Sequence, residues 1–425
     1  MAIPKTAALP LGYTPAGGRS YNALGRNVKG VAAQRAISDS MAMTDTAVAR
    51  SILDTLVAFD TTSSRSNLAL IEWVENYLAQ FGVQAERVAN EAGDKANLFA
   101  TCGPSVAGGV ILSGHSDVVP VEGQAWSSDP WTVREAEGRL YGRGVADMKG
   151  FLALALAHVP RFVKGTSPVH LAISYDEEVG CQGAPAMIKR MAASIPAPRL
   201  AIIGEPSSMR IITGHKGISV FEVRIRGHEA HSSLTGHGIS ANMIAVEIMA
   251  HLSDIARKLE AEADADNGFD PPQATLTIGE MEGGTAANIL AGHARFVFDL
   301  RAPPGVDTAA ALAPLQDQCA ALDAAMKARF AGTGVKLTQI ASAPPMTPDG
   351  SDDAVAFVRR LTGENAPASR VAYAAEGGQF QQAGFPTLIC GPGSIEQAHQ
   401  PDEWIALEQF EAGARFMDRL AGQLA

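Results

Sequence analysis

Val110-Ile111-Leu112-Ser113-Gly114-His115-Ser116-Asp117 is an apolar run that ends in a histidine and a carboxylate two residues apart. A short apolar run reads as a strand, and in an open α/β sheet ligands bind beyond the C-terminal ends of the strands. His115 and Asp117 fall at that end. One of the two can bind a metal ion while the other fixes the imidazole's orientation. His-x-Asp also arises by chance, so the pair needs support from the rest of the chain.

Working outward from this strand, helix and strand alternate. Helices are predicted over 48–59, 67–81, 148–162 and 184–193, and strands over 97–102, 109–115, 169–175 and 200–204. Helices interleaved with short apolar strands imply an α/β sheet covered on both faces. The character changes near Gly214. Residues 218–226 alternate apolar and polar, as a half-exposed strand should. A helix over 241–259, strands over 274–281 and 293–301, a helix over 309–330 and a strand over 335–342 follow. That βαββαβ order is ferredoxin-like. After Pro344 the first pattern resumes, with a helix over 352–361, strands over 371–374 and 387–390, and a helix over 405–420. Residues 44–213 and 344–425 are therefore expected to form one domain, interrupted by an inserted domain over 214–343.

Composition agrees. A chain of 425 residues exceeds the ~100–200 typical of one domain. The hydrophobic share of 46% against 19% charged residues suits a globular protein with a sizeable core. A net charge of −11 without a basic stripe excludes a nucleic-acid partner. The longest apolar run, near 151–159, is too short to span a bilayer, so no membrane partner is expected. Cys102, Cys181, Cys319 and Cys390 are scattered with no CxxC pair, which suits a reducing cytoplasm. Residues 1–42 hold one acid, Asp39, against five basic residues, and no apolar segment of the kind secretion needs. The stretch over 1–43 reads as a disordered or loosely attached extension or as the result of an upstream start codon, with Met41 or Met43 beginning the folded part; a targeting peptide is the alternative.

Four further segments carry chemistry-bearing residues. Gly142-Arg143-Gly144-Val145-Ala146-Asp147 is a glycine-rich turn entering a helix, where Asp147 either caps the helix or offers its two oxygens to two metal ions. Asp176-Glu177-Glu178 follows an apolar strand, and three adjacent acids repel one another unless cations or solvent relieve them. Adjacent glutamates can divide labour, one ligating metal while the other takes a proton from water. Glu205 ends another strand, and His399 lies in Gln397-Ala398-His399-Gln400-Pro401-Asp402-Glu403. Each is bland alone. Together they deliver histidines and acids to one edge of one sheet, a donor set suited to zinc, cobalt or manganese.

With these motifs the chain resembles the co-catalytic metallohydrolases that include acetylornithine deacetylase, succinyl-diaminopimelate desuccinylase, aminoacylase and glutamate-releasing carboxypeptidases. The nearest match is to the deacetylase branch, in Asp176-Glu177-Glu178-Val179-Gly180-Cys181, Gly214-His215-Lys216-Gly217 and the run from Gly391 to Glu403. The resemblance implies a zinc-exopeptidase-like mixed sheet sandwiched by helices, with the insert as a lid and dimerisation domain. It implies two divalent ions, zinc first, bridged by Asp147. His115 and Glu205 would complete one ion and Glu178 and His399 the other. Glu177 would be the general base, Asp117 the partner of His115, and the Asp147-Met148 peptide cis. His231 would bind the oxyanion, reaching across a homodimer, while His228 and His237 are ordinary loop histidines. Asn288 and Arg301 would hold the substrate's carboxylate, a surface ion pair being the alternative for Arg301. The stretch from Ala374 to Phe380 lacks the Ser/Thr-Asp pattern of desuccinylases and is expected as a loop touching the substrate side chain.

The implied activity is hydrolysis of a small N-acyl amino acid, N-acetylornithine to ornithine and acetate, in arginine biosynthesis. The rivals are a dipeptidase, aminoacylase or desuccinylase with the same machinery, and a non-catalytic binding protein on the same fold.

Overall fold

The computed structural model describes residues 45–348 and 352–425; the extension expected over 1–43 lies outside the described residues. Helices α1 (Asp45–Val57) and α2 (Leu68–Ala79) come first, each burying residues spaced three and four apart. Strands β1 (Ala85–Ala89), β2 (Ala96–Cys102) and β3 (Val110–His115) follow, then a hairpin of β4 (Arg134–Ala136) and β5 (Arg139–Tyr141). Next come α3 (Lys149–Ala157), α4 (Val159–Phe162), β6 (Val169–Ser174), α5 (Ala184–Ser194), β7 (Leu200–Pro206) and β8 (Ile212–His215). The single helix expected over 148–162 is broken at His158, because Pro160 has no N–H for the helical ladder and its ring crowds the carbonyl four residues back.

The chain then builds a second unit from β9 (Gly217–Arg226), α6 (Ala241–Ala261), β10 (Thr275–Gly283), β11 (His293–Ala302), α7 (Thr308–Arg329) and β12 (Gly334–Ala343). The four strands are antiparallel in the order β10-β11-β9-β12, the ferredoxin-like arrangement. Phe221, Val223 and Ile225 on the buried face of β9 pack with Phe296, Phe298, Ile248, Leu252 and Leu315 in a core of their own.

The remaining elements are α8 (Asp352–Thr362), β13 (Ser369–Val371), α9 (Gly377–Gln382), β14 (Thr387–Gly391), β15 (Trp404–Ala406) and α10 (Leu407–Gln423). Eight strands form the large sheet in the order β1-β2-β6-β3-β7-β14-β8-β13. Its centre, β6-β3-β7-β14, is parallel, whereas β1 and β2 run antiparallel at one side, so the sheet is mixed. Leu112, Leu171 and Ile202 face one helical layer, and Ile111, Ala172 and Ile203 face Met187, Ile188 and Phe380 on the other. Every residue of β3, β6 and β7 is buried, which is why these strands read as unbroken apolar runs.

The chain crosses between the two units at Gly214-His215-Lys216-Gly217. His215 is buried, with Nδ1 2.8 Å from the Lys216 carbonyl, and its Nε2 accepts the Gly378 N–H at 3.1 Å. Burial holds its pKa down at about 4, so the ring stays neutral in this role. Among the described residues no helix is long and apolar enough to cross a membrane.

Candidate metal centre

Three neighbouring parallel strands end on one edge of the large sheet. β3 ends at His115, β6 leads into Glu177 and Glu178, and β7 carries Glu205. Asp147 arrives from the loop before α3, through a cis Asp147-Met148 peptide, and His399 from the segment after β14.

The structure brings these residues together. Asp147 Oδ1 lies 3.0 Å from His115 Nε2, and its Oδ2 lies 3.3 Å from His399 Nε2. His115 Nε2 is 3.8 Å from Glu205 Oε1, and His399 Nε2 is 2.9 Å from Glu178 Oε2. The two oxygens of one carboxylate thus face two imidazoles, each of which faces one further carboxylate. Glu177 lies in the same cluster, with ligand-type atoms of His115, Glu177 and Glu205 all within 4.8 Å of one another.

The electrostatics of this cluster call for cations. His115 Nδ1 is 2.9 Å from the Asp117 carbonyl. A neutral ring donating there turns a lone pair at Nε2 toward carboxylate oxygens that are also acceptors, so either a second proton or a cation must intervene. Burial works to lower His115, but its hydrogen bond to Asp147 and the charge of Glu205 outweigh it and raise the pKa well above the ordinary value. The same contest, won by Asp147 and Glu178, raises His399 to about 11. Burial pushes Glu177 up to about 8 and raises Glu178 and Glu205 as well, with the charge of Asp147 adding to it in each case. Glu205 Oε1 is buried without a hydrogen-bond partner among the described residues. Buried acids crowded in this way are what divalent ions relieve, and two imidazoles with carboxylate oxygens suit zinc or its neighbours. The residues present fit two such ions.

The surrounding contacts sharpen the expected roles. Asp117 meets His115 through its main chain; the carboxylate is 3.7 Å from the ring. That carboxylate instead accepts the N–H groups of Glu177 and Glu178 at 3.2 and 3.3 Å and the Ser63 hydroxyl at 2.7 Å. Asp176 is paired with Lys95 at 2.6 Å and stands outside the donor set. Glu403, to which sequence reasoning gave no part, accepts the N–H groups of Gly144, Ala146 and Asp147 at 3.0, 2.9 and 3.1 Å and pairs with Arg143 at 2.8 Å. Arg143 also donates to Gln124, whose amide donates to the His399 carbonyl at 3.0 Å. The one signal for Arg143 and Glu403 was their place inside motifs already singled out.

Other expected residues lie apart. His231 is exposed, with Nδ1 2.8 Å from the Ser233 hydroxyl, and the Ser232 N–H donates to the Asn288 carbonyl at 2.9 Å. Arg301 is ion-paired with Asp299 at 2.9 Å. These contacts all fall within the ferredoxin-like unit. His228 stacks on Phe330 with ring centroids 4.2 Å apart. The stretch expected as a substrate-touching loop is buried from Ala375 to Phe380 and starts α9. Gly377 and Gly378 explain this: a β-carbon there would lie 2.7 Å from Met346 Sδ and 2.3 Å from the Pro344 carbonyl, so the backbone packs close.

Residues 111–423 match the model of peptidase family M20/M25/M40. The chain is 36% identical to an acetylornithine deacetylase of Proteus mirabilis over 364 residues, 85% of this chain and 91% of that protein. It is 34% identical to an acetylornithine deacetylase of Myxococcus xanthus over 377 residues, 87% and 95% of the two chains. Among solved structures, an M20 family metallo-carboxypeptidase from Sulfolobus solfataricus matches with a TM-score of 0.69 at 15% identity, covering 88% of this chain and 98% of that one. A dinuclear metal binding peptidase of the same family from Bacillus subtilis matches with a TM-score of 0.57 at 13% identity, covering 89% and 97%. These two structural likenesses concern the fold.

Proposed function

The chain belongs to peptidase family M20/M25/M40, and from that premise we propose that it is a metal-dependent amidohydrolase that cleaves N-acetylornithine to ornithine and acetate. One observation carries the chemistry: the two Asp147 oxygens each face an imidazole that faces one further carboxylate. Asp147 would bridge two ions, His115 and Glu205 completing one and Glu178 and His399 the other, with zinc expected and cobalt or manganese the alternatives. Bound there, the ions would polarise the amide carbonyl and lower the pKa of a water toward neutrality. Glu177 takes the proton from the attacking water as its oxygen adds to the carbonyl carbon. It then gives the proton to the nitrogen as the C–N bond breaks. Asp117 holds the Glu177 and Glu178 main chain in register. His231 donates to the carbonyl oxygen as it gains charge, and Arg301 and Asn288 hold the substrate's carboxylate.

The substrate is supported by the relatives' own names at 32–36% identity. We assign the enzyme to arginine biosynthesis in the cytoplasm, a reading supported by the relatives' names and by four free, buried cysteines. The active form is a homodimer paired through the ferredoxin-like unit. Its strand β10 lies at the sheet edge, and Met281 on that strand and Met243 and Val246 on α6 are exposed, a surface suited to a second copy.

Steady-state kinetics on N-acetylornithine, other N-acetyl and N-succinyl amino acids, and dipeptides test the substrate. The expected result is a kcat/KM for N-acetylornithine at least ~10-fold above the others, about 1.4 kcal/mol of discrimination. A dipeptide or succinyl substrate at the head of the panel would replace this assignment by one of its rivals.

A further inference from the structure

Cys181 closes the turn that carries Glu177. The N–H groups of Gly180 and Cys181 both donate to the Glu177 carbonyl, at 2.9 and 2.8 Å, and the Gln182 N–H donates to Asp176 at 3.0 Å. The turn is fixed from outside as well. A β-carbon on Gly180 would lie 2.5 Å from that of Ala341, and Gln379 donates to the Cys181 carbonyl at 2.7 Å. Cys181 itself has φ +56°, in the left-handed region that glycine occupies without penalty. A side chain kept in that region is held there by its surroundings, as is common at functional sites. It is buried, and its Sγ lies 3.2 Å from Glu177 Oε1.

On the reading of Glu177 as the base, we infer that Cys181 is a positioning residue whose thiol donates to Glu177 Oε1 and leaves Oε2 to carry the proton from water to the leaving nitrogen. The thiol is suited to donate, because burial, reinforced by the charge of Glu177, raises its pKa well above the ordinary value and keeps it protonated. Asp117 holds the main-chain N–H of Glu177, and the thiol holds the other end of the residue. With both ends fixed, the carboxylate does not have to be oriented anew in each turnover. No metal ligand is contributed by the cysteine.

The test compares Cys181→Ser, Cys181→Ala and Cys181→Gly in the full-length, zinc-loaded protein, with Glu177→Gln alongside. Alanine removes the donor and keeps the β-carbon; glycine removes the donor and relieves the backbone, which guards against misfolding as the cause. Both are expected to lower kcat about 10-fold, the scale of losing one orienting hydrogen bond, with KM and bound zinc unchanged. Serine, which keeps a donor, should restore most of the rate. Parental kcat in the alanine or glycine variant overturns the inference. So does loss of zinc or a rise in KM in place of a lower kcat, and so does a serine variant as slow as alanine. The two readings separate cleanly: an active Glu177→Gln removes the base itself, whereas an inactive Glu177→Gln beside a fully active Cys181→Ala removes only the role of the thiol.

Discussion

Asp147 is a buried acid and Glu177 a half-buried one, and their surroundings drive them apart. Burial acts to raise Asp147, but hydrogen bonds from His115 and His399 overcome it and hold its carboxyl below the usual range. Burial raises Glu177 to about 8, and the Cys181 thiol and the charge of His115 do not offset it. Divergent environments of this kind suit the proposed roles of metal ligand for Asp147 and proton carrier for Glu177. Glu177→Gln is expected to cut turnover by ~10²–10⁴-fold while leaving two metal ions per chain, as read by rate assay and elemental analysis together. Near-parental turnover would end the assignment. A second expectation concerns the metal-free chain. Folded Glu177 keeps its proton to about 8, whereas the ordinary value is 4.5. Below 4.5 the stabilisation is fully present; between 4.5 and about 8 the unfolded chain releases the proton first, so stability falls as pH rises. His115 and His399, also raised, act in the same direction. Chelated protein should therefore lose melting temperature between about pH 5 and about pH 8, and zinc should abolish most of that loss. A flat profile without metal would contradict the charge balance described.

At the scale of elements, the centre depends on loops far apart in sequence. Glu403 holds three main-chain N–H groups of the Asp147 loop, and Arg143 and Gln124 carry the linkage on to His399. Glu403→Gln places an amide where an acceptor is needed. It should weaken zinc binding by ~10–100-fold in a calorimetric titration, while unchanged affinity would remove Glu403 from the support of the site. The same elements show what could be read in advance. His115, Glu177, Glu178 and Glu205 were legible because they end strands buried on both faces, which leave an unmistakable apolar run before the polar residue. Strands β4, β5, β13 and β15 have three residues each, too few for a period to emerge. The strand expected over 371–374 therefore sits at Ser369–Val371, and the start of the helix expected over 405–420 is strand β15. Glu403 and Cys181 were illegible for another reason: each acts through a contact that only the folded chain creates.

For the whole molecule, the change from unbroken apolar runs to period-two alternation near residue 217 marks where the chain leaves the large sheet for the smaller one. The proposed dimer is tested at this scale. Met281→Lys and Met243→Glu put charge on the exposed face of the ferredoxin-like unit and should convert a dimer to a monomer in light scattering. A parental protein that is itself monomeric would overturn the pairing. Most direct is a zinc titration of chelated protein with N-acetylornithine hydrolysis followed throughout. Ornithine and acetate should be released in equal amounts, with activity absent before metal is added and reaching its plateau by two ions per chain. Full activity in the metal-free protein, or a zinc-saturated protein that releases no acetate, would contradict a two-metal deacetylase.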